Sequence, residues 1–89
     1  MMLKNKNIVI IGGTTGLGLS AAKAFIVNGA NVVVVGRNEE SATAAKNILG
    51  EKAIAISGDA VKEATAVNAI NSCVENFGSF DGLDRKSVV

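Results

Sequence analysis

The feature that most constrains this chain is a run of branched apolar residues that stops abruptly at glycine. Asn7-Ile8-Val9-Ile10-Ile11 is short, β-branched and continuous rather than alternating. That pattern belongs to a strand covered on both faces, as in a parallel sheet. Gly12-Gly13-Thr14-Thr15-Gly16 then interrupts it, and from Leu17 to Val27 nearly every residue is apolar or Ala, with Ser20 and Lys23 as a narrow polar stripe. This predicts a well-buried helix directly after a turn of small residues.

The same unit repeats twice. Asn28-Gly29-Ala30 ends the first helix, with Gly29 suited to the left-handed position just past a helix end, and Asn31 to Val35 reads as the second strand. Gly36-Arg37-Asn38 is a turn in which Asn38 can cap a second helix from Glu39 to about Leu49, with acids in its first turn as the helix dipole prefers. Ala42, Ala45, Ile48 and Leu49 recur at helical spacing as its inner face, leaving Glu39, Thr43, Lys46 and Asn47 toward water. Gly50 closes that helix and Ala53-Ile54-Ala55-Ile56-Ser57 reads as the third strand. Gly58-Asp59 leads to a third helix whose Val61, Ala64, Val67, Ile70, Val74 and Phe77 are expected to share one face, with Gly78 at its end. Strand and helix alternating through short connections predict consecutive right-handed βαβ units, an α/β fold with a parallel sheet.

Composition closes off other classes. With 89 residues, 48% of them hydrophobic and 19% charged, the chain is at most one domain, too apolar for disorder and too charged for a membrane protein. The core is small and stability is expected to be marginal. A net charge of +1 from nine basic and eight acidic residues gives no footprint for nucleic acid or an anionic membrane. Apolar runs such as Ile8 to Ile11 and Val32 to Val35 fall far short of the ~20 residues that span a bilayer. The first seven residues contain no stretch of signal-peptide length, which reads as cytoplasmic. Cys73 is the one cysteine and His is absent, so no disulfide framework and no Cys/His metal site is expected, and Cys73 reads as a buried structural thiol.

The glycine turn carries the chemistry. Small residues between a buried strand and a helix let the backbone approach a phosphate closely, and the first amides of the helix then point at that charge. Gly16-Leu17-Gly18-Leu19-Ser20-Ala21 fits a Gly-x-Gly-x-x-Gly/Ala pattern, but its first Gly lies several residues past the strand. The Gly-x-x-x-Gly-x-Gly frame of Gly12, Gly16 and Gly18 starts at the strand's end and is the better reading. A mononucleotide P-loop is excluded because no Lys-Ser/Thr follows the glycines.

On these residues, Ile8 to Phe25 (IVIIGGTTGLGLSAAKAF) resembles the opening of a short-chain dehydrogenase/reductase, and Val35-Gly36-Arg37-Asn38 and Gly58-Asp59-Ala60 match further family positions. The resemblance covers about Leu3 to Leu83. It implies the N-terminal half of a Rossmann-type doubly wound sheet, three βα units in strand order 3-2-1. It also implies that Gly12, Thr14, Thr15, Gly16, Leu17 and Gly18 hold the cofactor's pyrophosphate and ribose. Ile11 departs from the family's usual Thr, which loses a hydroxyl and keeps the phosphate cradle. At the end of the second strand a carboxylate would accept from the adenosine ribose and repel a ribose phosphate. Here Gly36 stands, followed by Arg37 and Asn38, and a guanidinium can grip a 2′-phosphate with paired bonds. The resemblance therefore implies NADP(H) over NAD(H); the plainer reading is that Arg37 is a solvated turn residue. Asp59 resembles the family acid that meets the adenine amino group, with Ala60 flanking the ring, and it can equally serve as N-cap of the third helix.

Residues 1–83 thus read as the N-terminal part of one dinucleotide-binding domain. The family's Asn-Asn-Ala-Gly segment, catalytic Ser and Tyr-x-x-x-Lys pair have no counterpart, and the chain contains no Tyr at all. The resemblance implies a homo-oligomeric parent that passes a hydride between NADP(H) and a carbonyl or alcohol, while these 89 residues bind cofactor and catalyse nothing. A non-catalytic dinucleotide-sensing module is the alternative, and an extended relative acting on nucleotide sugars is a third.

Phe77 to Leu83 tracks the family's approach to a fourth strand, and Asp84-Arg85-Lys86-Ser87-Val88-Val89 departs from it, putting charge where a strand core belongs. The departure is expected to leave the first strand with an unpaired apolar edge. GATCGGAAGAGCGTCGTGTAG encodes this hexapeptide followed by a stop, and that string resembles a widely used sequencing-library adapter. Residues 84–89 are therefore expected to be a non-native tail. Sequencing the locus by a method that uses no such adapter should show the frame running past the Leu83 codon into Asn-Asn-Ala-Gly. A different coding sequence for the same six residues would overturn this.

Overall fold

The structure, a computed structural model, describes residues 4–12, 16–59 and 62–85, and the side chains of all of these except Leu17, Asp84 and Arg85. Strands β1 (Asn7–Ile11), β2 (Asn31–Gly36), β3 (Ala53–Ser57) and β4 (Gly82–Arg85) alternate with helices α1 (Gly16–Val27), α2 (Glu39–Leu49) and α3 (Glu63–Phe77). All pairings are parallel, in the order β3-β2-β1-β4. The three expected βα units are present in the expected order.

The continuous apolar strands have their physical reason in this arrangement. Val9, Ile10, Ile11 and Val32 to Val35 are essentially without solvent contact. Alternate residues feed opposite faces: Val9, Ile11, Val33 and Val35 pack with Ala66, Ala69 and Cys73 of α3, and Ile10, Val32 and Val34 pack with Ala22 of α1 and Ala45 and Leu49 of α2. Each buried Val, Ile or Leu among them contributes about 1.5–3 kcal/mol.

The helix ends follow local chemistry. Asn38 caps α2 as expected, its Oδ1 accepting from the Ser41 N–H at 2.8 Å. Gly29, Gly50 and Gly78 take positive φ past the ends of α1, α2 and α3. The Lys46 ammonium donates to the carbonyls of Gly50 and Ala53, tying the last turn of α2 to the start of β3.

Four expectations are corrected. First, α1 is not enclosed: Ser20, Lys23, Ala24 and Val27 all face outward, and Val27 is 71% exposed, because α1 covers the sheet with one face only. Second, Ile48 of α2 is exposed while Ala42, Ala45 and Leu49 are buried. Third, α3 begins at Glu63 after Lys62, so Asp59 is not its N-cap; instead the Asp59 carbonyl accepts from the Lys62 N–H. Its inner stripe is Thr65, Ala66, Ala69 and Cys73, with Ile70 and Phe77 partly buried, whereas Ala64, Val67 and Val74 face outward. Val61 lies outside the described residues. A sheet surface already filled by Val and Ile leaves room for a helix only on its small residues, which lets the backbones approach.

The fourth correction concerns the edge of β1. Gly82–Arg85 pairs parallel with it, Leu83 opposite Val9 and Arg85 opposite Ile11, so β1 is an inner strand. A ladder is made by backbone N–H and C=O groups, and charged side chains do not prevent it.

Cys73 is buried among the side chains packed between α3 and the sheet, and its Sγ donates to the Ser79 carbonyl at 3.3 Å. Burial, and secondarily the charge of Asp81, push its thiol above its ordinary value. The folded chain therefore keeps this proton after the unfolded chain has lost it. Its contribution to stability is complete below the unfolded thiol's pKa of about 8.5 and declines as pH rises above it. The urea midpoint should fall between pH 8 and 9.5, and Cys73→Ala should remove that component; an unchanged slope would refute the assignment.

Candidate functional site

The carboxyl ends of the strands form a rim. The Gly12 N–H donates to the Val35 carbonyl and the Gly58 N–H to the Gly36 carbonyl, each at 2.9 Å, which carries the parallel ladder just past the strands. On that rim sit Gly12 after β1, Arg37 and Asn38 after β2, and Asp59 after β3. The strand order also reverses between β1 and β4, so the crevice beside Gly12 is a switch point, where open α/β sheets bind ligands.

Gly12 and Gly16, at the two ends of the glycine turn, have conformations that favour glycine. Gly12 has φ +87° and Gly16 φ +56°, in the left-handed region where a side chain is strained. A Cβ on Gly16 would have no atom within 4 Å, so backbone conformation, and not crowding, selects glycine there. Gly18 is buried in the first turn of α1. That turn carries no acidic residue, and the first amides of a helix favour an anion placed at its N-terminus. This geometry fits a dinucleotide's pyrophosphate. Thr14, Thr15 and Ala60 lie outside the described residues, as does the side chain of Leu17.

At the end of β2 the buried Gly36 offers no carboxylate, and the next side chain, Arg37, is exposed. Asn38 is committed through its Oδ1 to capping α2, which orients the turn that presents Arg37. Asp59 is exposed on the rim beyond β3. A groove of about 520 Å³ runs along β3 beneath α2, lined by Glu39, Thr43, Lys46 and Ser57 among others, and among the described residues Gly12, Arg37, Asn38 and Asp59 do not line it.

Sequence reasoning missed the role of Gly58. A Cβ there would meet Thr65 Cγ2 at 2.7 Å and Oγ1 at 3.0 Å. Its lack of a side chain lets the first turn of α3 close over the end of β3. The signal was a glycine directly after a strand, the same signal as at Gly12 and Gly36.

The profile of the family described as short chain dehydrogenase matches residues 6–85. A 3alpha-hydroxysteroid dehydrogenase from Mediterraneibacter gnavus is 38% identical over 88 residues, covering 93% of this chain and 35% of that protein. An L-rhamnose 1-dehydrogenase (NAD(P)(+)) from a Sphingomonas species is 32% identical over 84 residues, covering 90% of this chain and 33% of that protein. The crystal structure of a 3-ketoacyl-(acyl-carrier-protein) reductase from Brucella melitensis, complexed with NADH, superposes with a TM-score of 0.83 at 34% identity, over 91% of this chain and 33% of that one. The chain belongs to the short-chain dehydrogenase family, whose members are oxidoreductases that use NAD(P). It spans about a third of the length of the relatives it matches.

Gly58→Ala should destabilise the chain by about 1–3 kcal/mol through overpacking against Thr65, as read by urea denaturation. In the double variant Gly58→Ala/Thr65→Ala the two changes should be strongly non-additive, since truncating Thr65 removes the clash.

Proposed function

We propose that this chain is the cofactor-holding part of an NADP(H)-dependent short-chain reductase. In that reading Gly12, Thr14, Thr15, Gly16, Leu17 and Gly18 hold the pyrophosphate and adjoining ribose, Arg37 and Asn38 meet the adenosine 2′-phosphate, and Asp59 and Ala60 meet the adenine. The bound cofactor would supply a hydride acceptor or donor. This chain's own part is to bind and orient it: the α1 amides and positive-φ glycines accommodate a doubly charged phosphate bridge, which costs little reorganisation because the donors are held by the helix.

The observation that carries the preference for NADP(H) is Gly36-Arg37 at the end of β2, a position with no carboxylate to repel a phosphate and a guanidinium immediately after it. The solved relative holds NADH and another relative is named for NAD(P)(+), so relatives of this fold take either cofactor and the choice falls to residues such as these. The hydroxysteroid dehydrogenase and ketoacyl reductase are named for interconverting hydroxyl and carbonyl groups, which supports a small-molecule alcohol or carbonyl as the whole protein's substrate.

Arg37→Ala should weaken NADPH binding by about 10- to 100-fold, the scale of a charge-assisted hydrogen-bonded pair, and leave NADH binding within about twofold. Titration of the chain with each cofactor, followed by nicotinamide fluorescence or calorimetry, reads both. Equal losses for the two cofactors would remove the 2′-phosphate role, and purified chain that turns over substrate would refute the assignment to binding alone.

A further inference from the structure

The fourth strand is attached in a different way from the other three. β1 and β2 are held by two apolar layers, and β3 adds the buried Ala53 with Ile54, Ala55 and Ile56 packed against them. In β4, Gly82 has no side chain and Leu83 is 44% exposed. The segment leading into it adds one apolar anchor, Phe80, partly buried against the α3 side of the core, and is otherwise gathered onto one buried polar residue. Asn7 is 4% exposed at the start of β1, and its Nδ2 donates to Ser79 Oγ at 2.8 Å and to the Phe77 carbonyl at 3.4 Å. Its Oδ1 accepts from Asn31 Nδ2 at 3.0 Å, fastening the same residue to β2. Its backbone closes a ring with Asp81: the Asn7 N–H donates to Asp81 Oδ2 and the Asp81 N–H donates to the Asn7 carbonyl, both at 2.8 Å.

We infer that Asn7, with Asp81, is a polar latch that docks β4 on β1 and allows β4 to open as a unit while β1, β2 and β3 stay folded. A strand whose side chains are buried on both faces leaves only when the core opens, whereas an edge strand held by its ladder to β1 and by these polar bonds at its start can peel away once they exchange for water. The latch also sets the register: pairing Ile8 with Gly82 from the Asn7–Asp81 end brings Arg85 opposite Ile11, the residue before the glycine turn. Opening β4 therefore removes one wall of the switch-point crevice without unfolding the turn or α1.

Amide hydrogen exchange on the 89-residue chain tests this. The amides of residues 81–85 should exchange at least tenfold faster than those of Val33 to Val35. Asn7→Val, which keeps a strand former and deletes the amide, should accelerate residues 81–85 by a further tenfold or more and leave β2 and β3 within about twofold. Asp81→Ala should act in the same direction and Asp81→Asn, which keeps an acceptor, should largely restore protection. Leu83→Ala should change little. Uniform exchange across all four strands overturns the latch, as does a Leu83→Ala effect equal to that of Asn7→Val, or no effect of Asn7→Val on β4.

Discussion

Everything in this molecule depends on keeping the β1–β2 pair dry on both faces. Seven residues on two neighbouring strands, Val9 to Ile11 and Val32 to Val35, have almost no solvent contact, so every one must be apolar and every backbone group between them must be bonded. That demand places α3 on one side and α1 and α2 on the other, and it forces the chain to leave each strand at the same end. The rim of loops is a by-product of that geometry. Its character comes from what the sequence puts at, and shortly past, the end of each strand.

Those positions are economical in side chains. Gly12 and Gly16 contribute backbone conformation, Gly36 the absence of a carboxylate, and Gly58 room for Thr65. Arg37, Asn38 and Asp59 then supply the charge and hydrogen bonding, and Asn38 spends its own oxygen on the α2 cap. A rim made this way is defined largely by the side chains it leaves out. Fold and site are coupled through the helix starts, since the amides that would face an anion are those α1 cannot satisfy internally.

Much of this was legible in the sequence. Continuous β-branched runs identify β1 and β2 because double burial removes the alternation that a one-sided strand would keep. Asn38, Gly50 and Gly78 mark helix ends because capping is local chemistry. Side-chain periodicity was less reliable in α3, where Val67 and Val74 match the helical repeat and still face outward. Hydrophobicity says which residues favour burial, but the closeness of helix and sheet decides which fit, and there Ala66, Ala69 and Cys73 win. The N-cap assigned to Asp59 failed for a related reason: the chain takes three more residues to reach the helix, a distance set by where α3 must sit. The pairing of Gly82–Arg85 was hidden because a backbone ladder leaves little trace in side chains, and Asn7, a polar residue at the head of an apolar strand, gave its purpose away only once Ser79, Asn31 and Asp81 were seen around it.

The contact between Lys46 and the carbonyl of Ala53 gives the sheet a sense of direction. Parallel pairing spends the carbonyl of Lys52 on β2, so the groups of Ala53 point to the outer edge, and there the Ala53 N–H is already bonded to Gly50 and its oxygen to the lysine. A foreign strand approaching β3 at this point meets a donor and an acceptor that are both taken, behind a positive charge, which is how edges resist templating another chain. The β3 side thus acts as a selvedge, bound off at its first residue by the same lysine that fastens the last turn of α2.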